Sequence, residues 1–240
     1  MKKVNLFLGL ILVIGVLQSC DHDTVHASEK ITSLEYSIPA YAELKVSDAF
    51  TTYVTFSDRE ESVRIEADNN LHDKMVVKNE GNALVIRLKN STSVRGNATL
   101  NVYIVTKDIT AFDIAGASRV TLENEWIVSD GSIALSGASD FSGAVNSDRL
   151  HVDLAGASRL DLFGNTASLN AKLSGSSVLR DYDLNVEHLN IDLSGASEVF
   201  LSVNETIDIK GSGASILNYK GSAIVENREL SGSSEVKNRN

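Results

Sequence analysis

Cysteine, proline and tryptophan are almost absent from this chain of 240 residues, where each occurs once, as Cys20, Pro39 and Trp126. A single cysteine cannot close an intramolecular disulfide, so the core has to hold the fold together without one. One proline beside 16 glycines excludes a collagen-like or proline-rich disordered chain. Basic residues are outnumbered by acidic ones, 22 to 32, and the formal net charge is −10. An acidic surface of this kind argues against nucleic acid as a partner.

Residue patterns that carry catalysis or bind metals are missing as well. The five histidines, at positions 22, 26, 72, 151 and 188, have no metal-ligand spacing. No serine–histidine–aspartate arrangement can be inferred, and no glycine-rich loop leads from a strand into a helix to bind phosphate. We therefore predict no catalytic residues, no metal site and no cofactor.

The first nineteen residues are organised like an export signal. Lys2 and Lys3 precede an apolar run from Leu6 to Leu17, which has the length of a signal-peptide core. The run is shorter than the about 20 apolar residues that a membrane-spanning helix needs. We predict a cleaved signal peptide over residues 1–19.

The end of this signal indicates a lipid anchor. The segment Leu17-Gln18-Ser19-Cys20 resembles the lipobox of bacterial lipoproteins, in which the cysteine takes a diacylglyceryl group and becomes the new N-terminus. We predict lipidation at Cys20, attachment to the membrane through that lipid, and a polar tether over 20–29. The alternative is an ordinary secretory signal with a cysteine by chance. Acidic residues after Cys20 resemble both surface-export and retention signals of Gram-negative lipoproteins, so we expect an outer-membrane lipoprotein on either the periplasmic or the surface side.

An internal repeat dominates the second half of the chain. A unit of the form Leu-Ser/Ala-Gly-Ala/Ser-Ser recurs seven times with small variations, and its glycines lie 18 to 21 residues apart. These glycines are Gly116, Gly137, Gly156, Gly175, Gly195, Gly213 and Gly232. A period near 20 is typical of a solenoid.

The flanks of the repeat indicate β-strands. Leu150, Val152 and Leu154 precede Gly156 at every second position, and the other units follow the same alternation, which predicts strands with one buried face. An antiparallel meander is the alternative. Since it would reverse the direction of successive units, identical residues every 20 positions favour stacked parallel coils.

The charged residues that precede each repeat unit on its outward side agree with stacking. The position three residues before each glycine carries Asp153, Lys172, Asp192, Lys210 and Glu229 in successive units. In a parallel stack these would be vertical neighbours, where opposite charges are favourable and like charges repel. We therefore expect coils that stack in register.

Small residues at the repeat unit itself predict a tight corner. On strict alternation the glycine and the serine two positions later share the inward face, where small side chains let coils approach closely. We expect the serine hydroxyls to donate to the backbone or to one another up the stack. The alternative is an exposed serine ladder that binds sugar or an ice-like surface.

The repeats from Phe112 to Val236, behind a lipoprotein signal, resemble the head GIN domain family of auto-transporter adhesins (DUF2807), which is common in Bacteroidetes. The segments 63–71 and 82–86 resemble the less repetitive first half of that family. The resemblance implies an all-β fold, a single-stranded right-handed parallel β-helix with about 20 residues per coil, and it brings no active-site residues.

Residues 30–110 contain strand patterns without the glycine–serine unit, for example Tyr53–Phe56 and Leu100–Val105. We interpret them as irregular coils that continue the stack and cover its end, followed by the regular coils of 111–240. A separate small β domain is the alternative.

Four aromatic residues form the candidate ligand-binding strip. Phe163, Tyr182, Phe200 and Tyr219 lie five to seven positions after the glycines of four successive units, and alternation directs Phe163 and Phe200 outward. Exposed rings suit a glycan or another envelope protein as ligand. The alternative is a hydrophobic cover for the second corner.

Together these patterns predict a non-catalytic cell-envelope lipoprotein that acts as an adhesin, scaffold or binding module. The alternative is a carbohydrate-processing enzyme of the pectin-lyase-like type, which would need convergent carboxylates. The stacked acids alternate with lysines instead, which suits mutual neutralisation better than acid–base chemistry.

Overall fold

The structure, a computed structural model, describes residues 23–240. Strands make up 66% and helix 3%, which confirms the all-β prediction. The strands are β1 (Asp23–His26), β2 (Ile31–Tyr36), β3 (Glu43–Val46), β4 (Thr51–Phe56), β5 (Ser62–Asp68), β6 (Met75–Glu80), β7 (Ala83–Leu88), β8 (Thr92–Arg95), β9 (Leu100–Thr106), β10 (Ala111–Ile114), β11 (Arg119–Leu122), β12 (Trp126–Leu135), β13 (Asp140–Leu154), β14 (Arg159–Leu173), β15 (Val178–Leu193), β16 (Glu198–Gly211), β17 (Ile216–Lys220), β18 (Ile224–Leu230) and β19 (Glu235–Asn238). A 3₁₀ helix covers Asn69–Lys74.

The second half of the chain is a stack of parallel coils. From β10 onward every strand pairs in parallel with its counterpart in a neighbouring coil. The leucines before the glycines lie directly above one another, with Leu135 opposite Leu154, Leu154 opposite Leu173, and Leu173 opposite Leu193. About 7 turns follow one another at roughly 19 residues. The parallel β-solenoid is therefore confirmed, and the antiparallel meander is wrong for this part of the chain.

Inward-facing columns of aliphatic side chains form the core. Leu150, Leu154 and Leu169 are fully buried, and Leu173 and Leu193 in the next coils are buried as well. Burying such a side chain contributes roughly 1.5–3 kcal/mol. Near the start of the regular coils the core is aromatic: the ring of Phe112 contacts Trp126 and Phe141 edge-on at 5.0 and 4.9 Å between centroids. The core is therefore continuous along the stack.

The repeat unit forms a corner, but its glycine faces the other way from the prediction. Gly156 and Gly195 are exposed, and their φ values of 78° and 72° place them in the left-handed region that favours glycine. This turn breaks the alternation on which the inward placement of the glycines depended. The serine does face inward: the hydroxyl of Ser197 donates to the carbonyl of Ser194 at 3.0 Å, and five other repeat serines bond three residues back in the same way. Six of the seven repeat serines thus bond the backbone inside the corner, whereas the buried Ser118 hydroxyl has no hydrogen-bond partner. The serines form no exposed ladder.

The first part of the described chain joins this stack through parallel pairs. Strands β3 and β4 pair with β10 and β11 on one side and with β7 and β9 on the other. Antiparallel pairs, which the sequence pattern did not indicate, lie beyond them: β6 with β7, and β5 between β2 and β9. Whether 30–110 counts as irregular coils of one stack or as a separate domain stays a prediction.

Candidate binding face

The outward surface of one sheet carries most of the candidate residues. The sheet runs through β9, β4, β11 and the first halves of β13 to β16, and continues into β17 and β19. We call this surface the aromatic face and define it by the outward column Tyr103, Tyr53, Thr121, Ser142, Asp161, Arg180 and Phe200, whose members are direct register partners.

Two of the four predicted aromatic residues lie together on this face. The rings of Tyr182 and Phe200 meet edge-on with 5.7 Å between their centroids. The ammonium group of Lys220 lies 4.4 Å from the centre of the Tyr182 ring, within the range of a cation–π interaction. Tyr182 and Phe200 thus form one ordered aromatic pair, flanked by a positive charge.

The other two predicted residues differ from this pair and from each other. Phe163 is 50% exposed and lies on the same face beside Asp161, opposite Ala144 of the previous coil. Tyr219 is only 8% exposed and belongs to the core, because its register partner is the inward Leu201. Tyr219 is therefore a packing residue. Alternation carries this signal, since Tyr219 lies two residues after the inward Leu217.

A bulge in β15 brings Tyr182 outward. Arg180 and Asn185 are five residues apart, whereas their partners Phe200 and Ser202 are only two apart. The extra residues Asp181 to Asp183 therefore bulge out of the ladder, and Leu184 returns to it as the buried partner of Gly164. The hydroxyl of Ser202 donates to the Tyr182 carbonyl at 2.6 Å. The bulge is therefore attached to the next coil, and the Tyr182 ring is placed beside Phe200.

The aromatic pair borders a depression of about 570 Å³. Its lining combines the two rings with acidic and basic groups, and the residues are Asp161, Val178, Arg180, Asp181, Tyr182, Glu198 and Phe200. Carboxylates accept hydrogen bonds and a guanidinium donates them. The depression can therefore hold a ligand that offers apolar surface to the rings and hydroxyl or amide groups to the rim.

A second aromatic pair, absent from the sequence prediction, lies further along the same face. The rings of Tyr53 and Tyr103 are stacked, 5.3 Å apart and 16° from parallel. The guanidinium of Arg64 lies 4.0 Å from the centre of the Tyr103 ring and forms an ion pair with Glu66. This pair borders a depression of about 390 Å³ that also contacts Thr55 and Glu123.

The Tyr103 phenol is fixed from its far end. It donates to the Glu66 carboxylate at 3.2 Å, and desolvation together with this acidic neighbour raises its pKa. Tyr103 therefore remains a neutral donor at physiological pH. Its ring has Arg64 on one side and Tyr53 on the other, because β9 lies between β5 and β4. Tyr53 is therefore the ring of this pair that lies next to Thr121 and the repeats.

The acids proposed for an enzyme are arranged as ladders. Asp153, Lys172 and Asp192 are register partners in successive coils, and Asp192, Lys210 and Glu229 continue the column.

Among residues 23–240, no three His, Cys, Asp or Glu side chains are grouped so that they could hold a metal ion. Over the same range no helix is long and apolar enough to cross a membrane. Cys20 and the signal sequence lie outside the described residues.

Stacked parallel coils define the class of protein as a β-solenoid. The model of the family "Putative auto-transporter adhesin, head GIN domain" (DUF2807) matches residues 40–223. The chain belongs to this family, and the resemblance seen in the repeats is confirmed.

Solved structures from Bacteroidetes share the fold. A "putative adhesin" from Bacteroides fragilis superposes with a TM-score of 0.80 at 19% identity, over 90% of this chain and 100% of that one. A "putative lipid binding protein" from Parabacteroides distasonis gives 0.74 at 17% identity over the same shares. A "putative adhesin" from Parabacteroides merdae gives 0.71 at 15% identity, over 91% and 100%. A comparison with functionally curated proteins gave no match.

Proposed function

We propose that the protein is a non-catalytic binding module of the cell envelope that adheres to its ligand through the Tyr182–Phe200 depression. The observation that carries the proposal is the aromatic pair itself, in which a bulge brings Tyr182 out of the ladder beside the in-register Phe200. Rings of this kind at a polar rim are typical of binding surfaces.

The proposed position in the cell is the outer membrane of a Gram-negative bacterium, on its periplasmic or outer side. The lipobox-like segment ending at Cys20 supports a lipid anchor. Membership in a family described as adhesins, with structural neighbours from Bacteroides and Parabacteroides, supports an envelope role. The predicted tether is wrong for most of 20–29, because Asp23–His26 form β1, which pairs in parallel with β8. Only residues 20–22 would then lie between the solenoid and the lipid.

The enzyme alternative has no observation in its favour. Although Asp161, Asp181 and Glu198 line the depression, they do not converge into a metal-type cluster within the described chain. The positively charged Arg180 lines the same depression, and the ammonium group of Lys220 lies beside Tyr182. This mixture suits recognition of a polar ligand better than acid–base hydrolysis.

The test compares binding by the full chain and by two variants. Wild type, the double variant Tyr182→Ala/Phe200→Ala and the control Ile127→Ala are purified in detergent, labelled, and applied to isolated bacterial envelopes, mucin, matrix proteins and a glycan array. Ile127 is 74% exposed and lies in the column of Asn146 and Asn165, away from the aromatic face. We expect the double variant to lose most of the binding that wild type and Ile127→Ala share. Binding that survives the double substitution unchanged would refute the proposed site.

A further inference from the structure

The two aromatic pairs belong to one straight track along the solenoid axis. From Tyr53 to Phe200 the outward column passes through Thr121, Ser142, Asp161 and Arg180, each in register with the next. Five steps between adjacent strands correspond to roughly 24 Å. The depressions beside the two pairs therefore lie at the ends of one path on the aromatic face.

The path between the pairs is low and polar. Thr121 and Ser142 are small, half-buried residues whose hydroxyl oxygens lie 3.5 Å apart. On one side, Asp140 is paired with Arg119 at 3.0 Å and with Arg159 at 3.6 Å. On the other side, Phe163 projects beside Asp161. A chain-like ligand could therefore lie on the hydroxyls between a compensated charge ladder and an exposed ring.

From this geometry we infer that the aromatic face binds a linear, neutral oligosaccharide that lies along the solenoid axis and contacts both the Tyr53–Tyr103 and the Tyr182–Phe200 pair. This inference rests on the proposed function and names its ligand class. Sugar rings combine apolar C–H faces with hydroxyl groups, and the track alternates aromatic rings with groups that accept and donate hydrogen bonds. The acids at Asp161, Asp181 and Glu198 outnumber Arg180 in the larger depression, so an acidic polymer would be repelled.

Other chain-like ligands fit this surface less well. An extended peptide gains its affinity by adding a strand to an open sheet edge, but the track lies on the face of strands that are paired on both sides. An acyl chain needs a continuous apolar groove, and Thr121, Ser142 and Asp161 interrupt the apolar surface.

The experiment measures affinity as a function of ligand length. Linear cello-, xylo-, manno- and chito-oligosaccharides, from disaccharide to octasaccharide, are titrated into the full chain in detergent by calorimetry. For at least one series we expect affinity to rise with length until the ligand spans both pairs. Phe200→Ala should then weaken short and long members alike, whereas Tyr53→Ala should weaken only the long ones, each by about tenfold. Tyr53→Phe should keep the affinity because it keeps the ring.

A second variant tests the track without removing either pair. Ser142→Trp places a bulky side chain at the middle of the path, and we expect it to reduce the affinity of long members to that of short ones. Thermal melting verifies that each variant is folded. Tyr53→Ala and Ser142→Trp without effect on long members would overturn the track and leave the Tyr182–Phe200 site of the proposed function intact. Absence of binding to all four series would overturn the glycan inference, and the proposed function would still be judged separately by ring-dependent binding to envelopes, mucin or matrix proteins.

Discussion

At the corner glycines, both the backbone conformation and the close spacing of the coils disfavour a Cβ atom. A Cβ added to Gly195 would lie 2.5 Å from the carbonyl oxygen of Gly175, closer than van der Waals contact allows. That carbonyl accepts the hydrogen bond from the Ala196 amide at 2.8 Å, so it cannot move away without loss. The corner therefore requires glycine twice, for its positive φ and for the space above the previous coil.

We expect Gly195→Val to destabilise the protein by roughly 2–4 kcal/mol, because left-handed strain and overpacking act together. Urea unfolding of both proteins measures the difference. Gly81→Val is the matched control, since Gly81 has φ of 67° and nothing within 4 Å of an added Cβ. The control should cost only the backbone strain. Equal losses in the two variants would mean that close stacking adds nothing at the corner.

Phe200 and Tyr219 provide a second comparison, between an exposed and a buried ring. Tyr219→Ala should destabilise by about 3 kcal/mol or more, because it opens a cavity in the core. Phe200→Ala should cost about 1 kcal/mol or less, because its ring is already partly exposed. Chemical denaturation of both variants decides the point. If Phe200→Ala proves as damaging as Tyr219→Ala, the Phe200 ring supports the fold and its role in binding is lost.

At the scale of the strand, charges are arranged for vertical neighbours. Asp140 in β13 lies between Arg119 of β11 and Arg159 of β14, and it contacts both guanidinium groups. Each exposed pair contributes only about 0.2–1 kcal/mol. The effect of such ladders is chiefly on register, since a slip by one residue would turn every inward side chain outward.

We expect Asp140→Lys to lower the free energy of unfolding by about 1 kcal/mol, because three positive charges would then follow one another along the column. The loss should shrink in 1 M salt, which screens charges at the surface. Asp140→Asn, which removes the attraction without adding repulsion, should show a smaller loss. A salt-independent loss of equal size in both variants would indicate a packing role for Asp140 instead.

At the scale of the whole molecule, the solenoid needs no disulfide because its core and ladders are continuous from coil to coil. The lone Cys20 is consequently available for a different role. The predicted anchor and the binding face would then lie on one chain, the first holding the protein at a membrane and the second contacting the ligand.

Metabolic labelling with a fatty acid tests the anchor. The wild type should incorporate label and fractionate with membranes, whereas Cys20→Ala should do neither, because the thioether that carries the lipid cannot form. Ser19→Ala keeps the cysteine and serves as the control. An unlabelled wild type would contradict lipidation and would leave an ordinary secretory signal as the explanation of residues 1–19.

The amino-acid sequence by itself determined the repeating half of this protein. Coil length follows from the glycine spacing, and the buried face follows from period-two alternation, because side chains alternate strictly along a strand. The order of Asp153, Lys172 and Asp192 indicated the register, which the structure confirms. Even the inward position of Tyr219 was present in the alternation, although the sequence prediction grouped it with the outward rings.

Only the tertiary structure decided where this regularity is interrupted. The bulge from Asp181 to Asp183 inserts residues that break the alternation, so nothing local indicates that Tyr182 meets Phe200. The stacking of Tyr53 on Tyr103 joins strands 50 residues apart in a region without repeats. In that region the strand register is set by pairing between distant segments, and a single sequence without repeats carries no periodic signal for such pairing. The repeats fix the scaffold through local periodicity, and the aromatic face arises where non-local contacts take over.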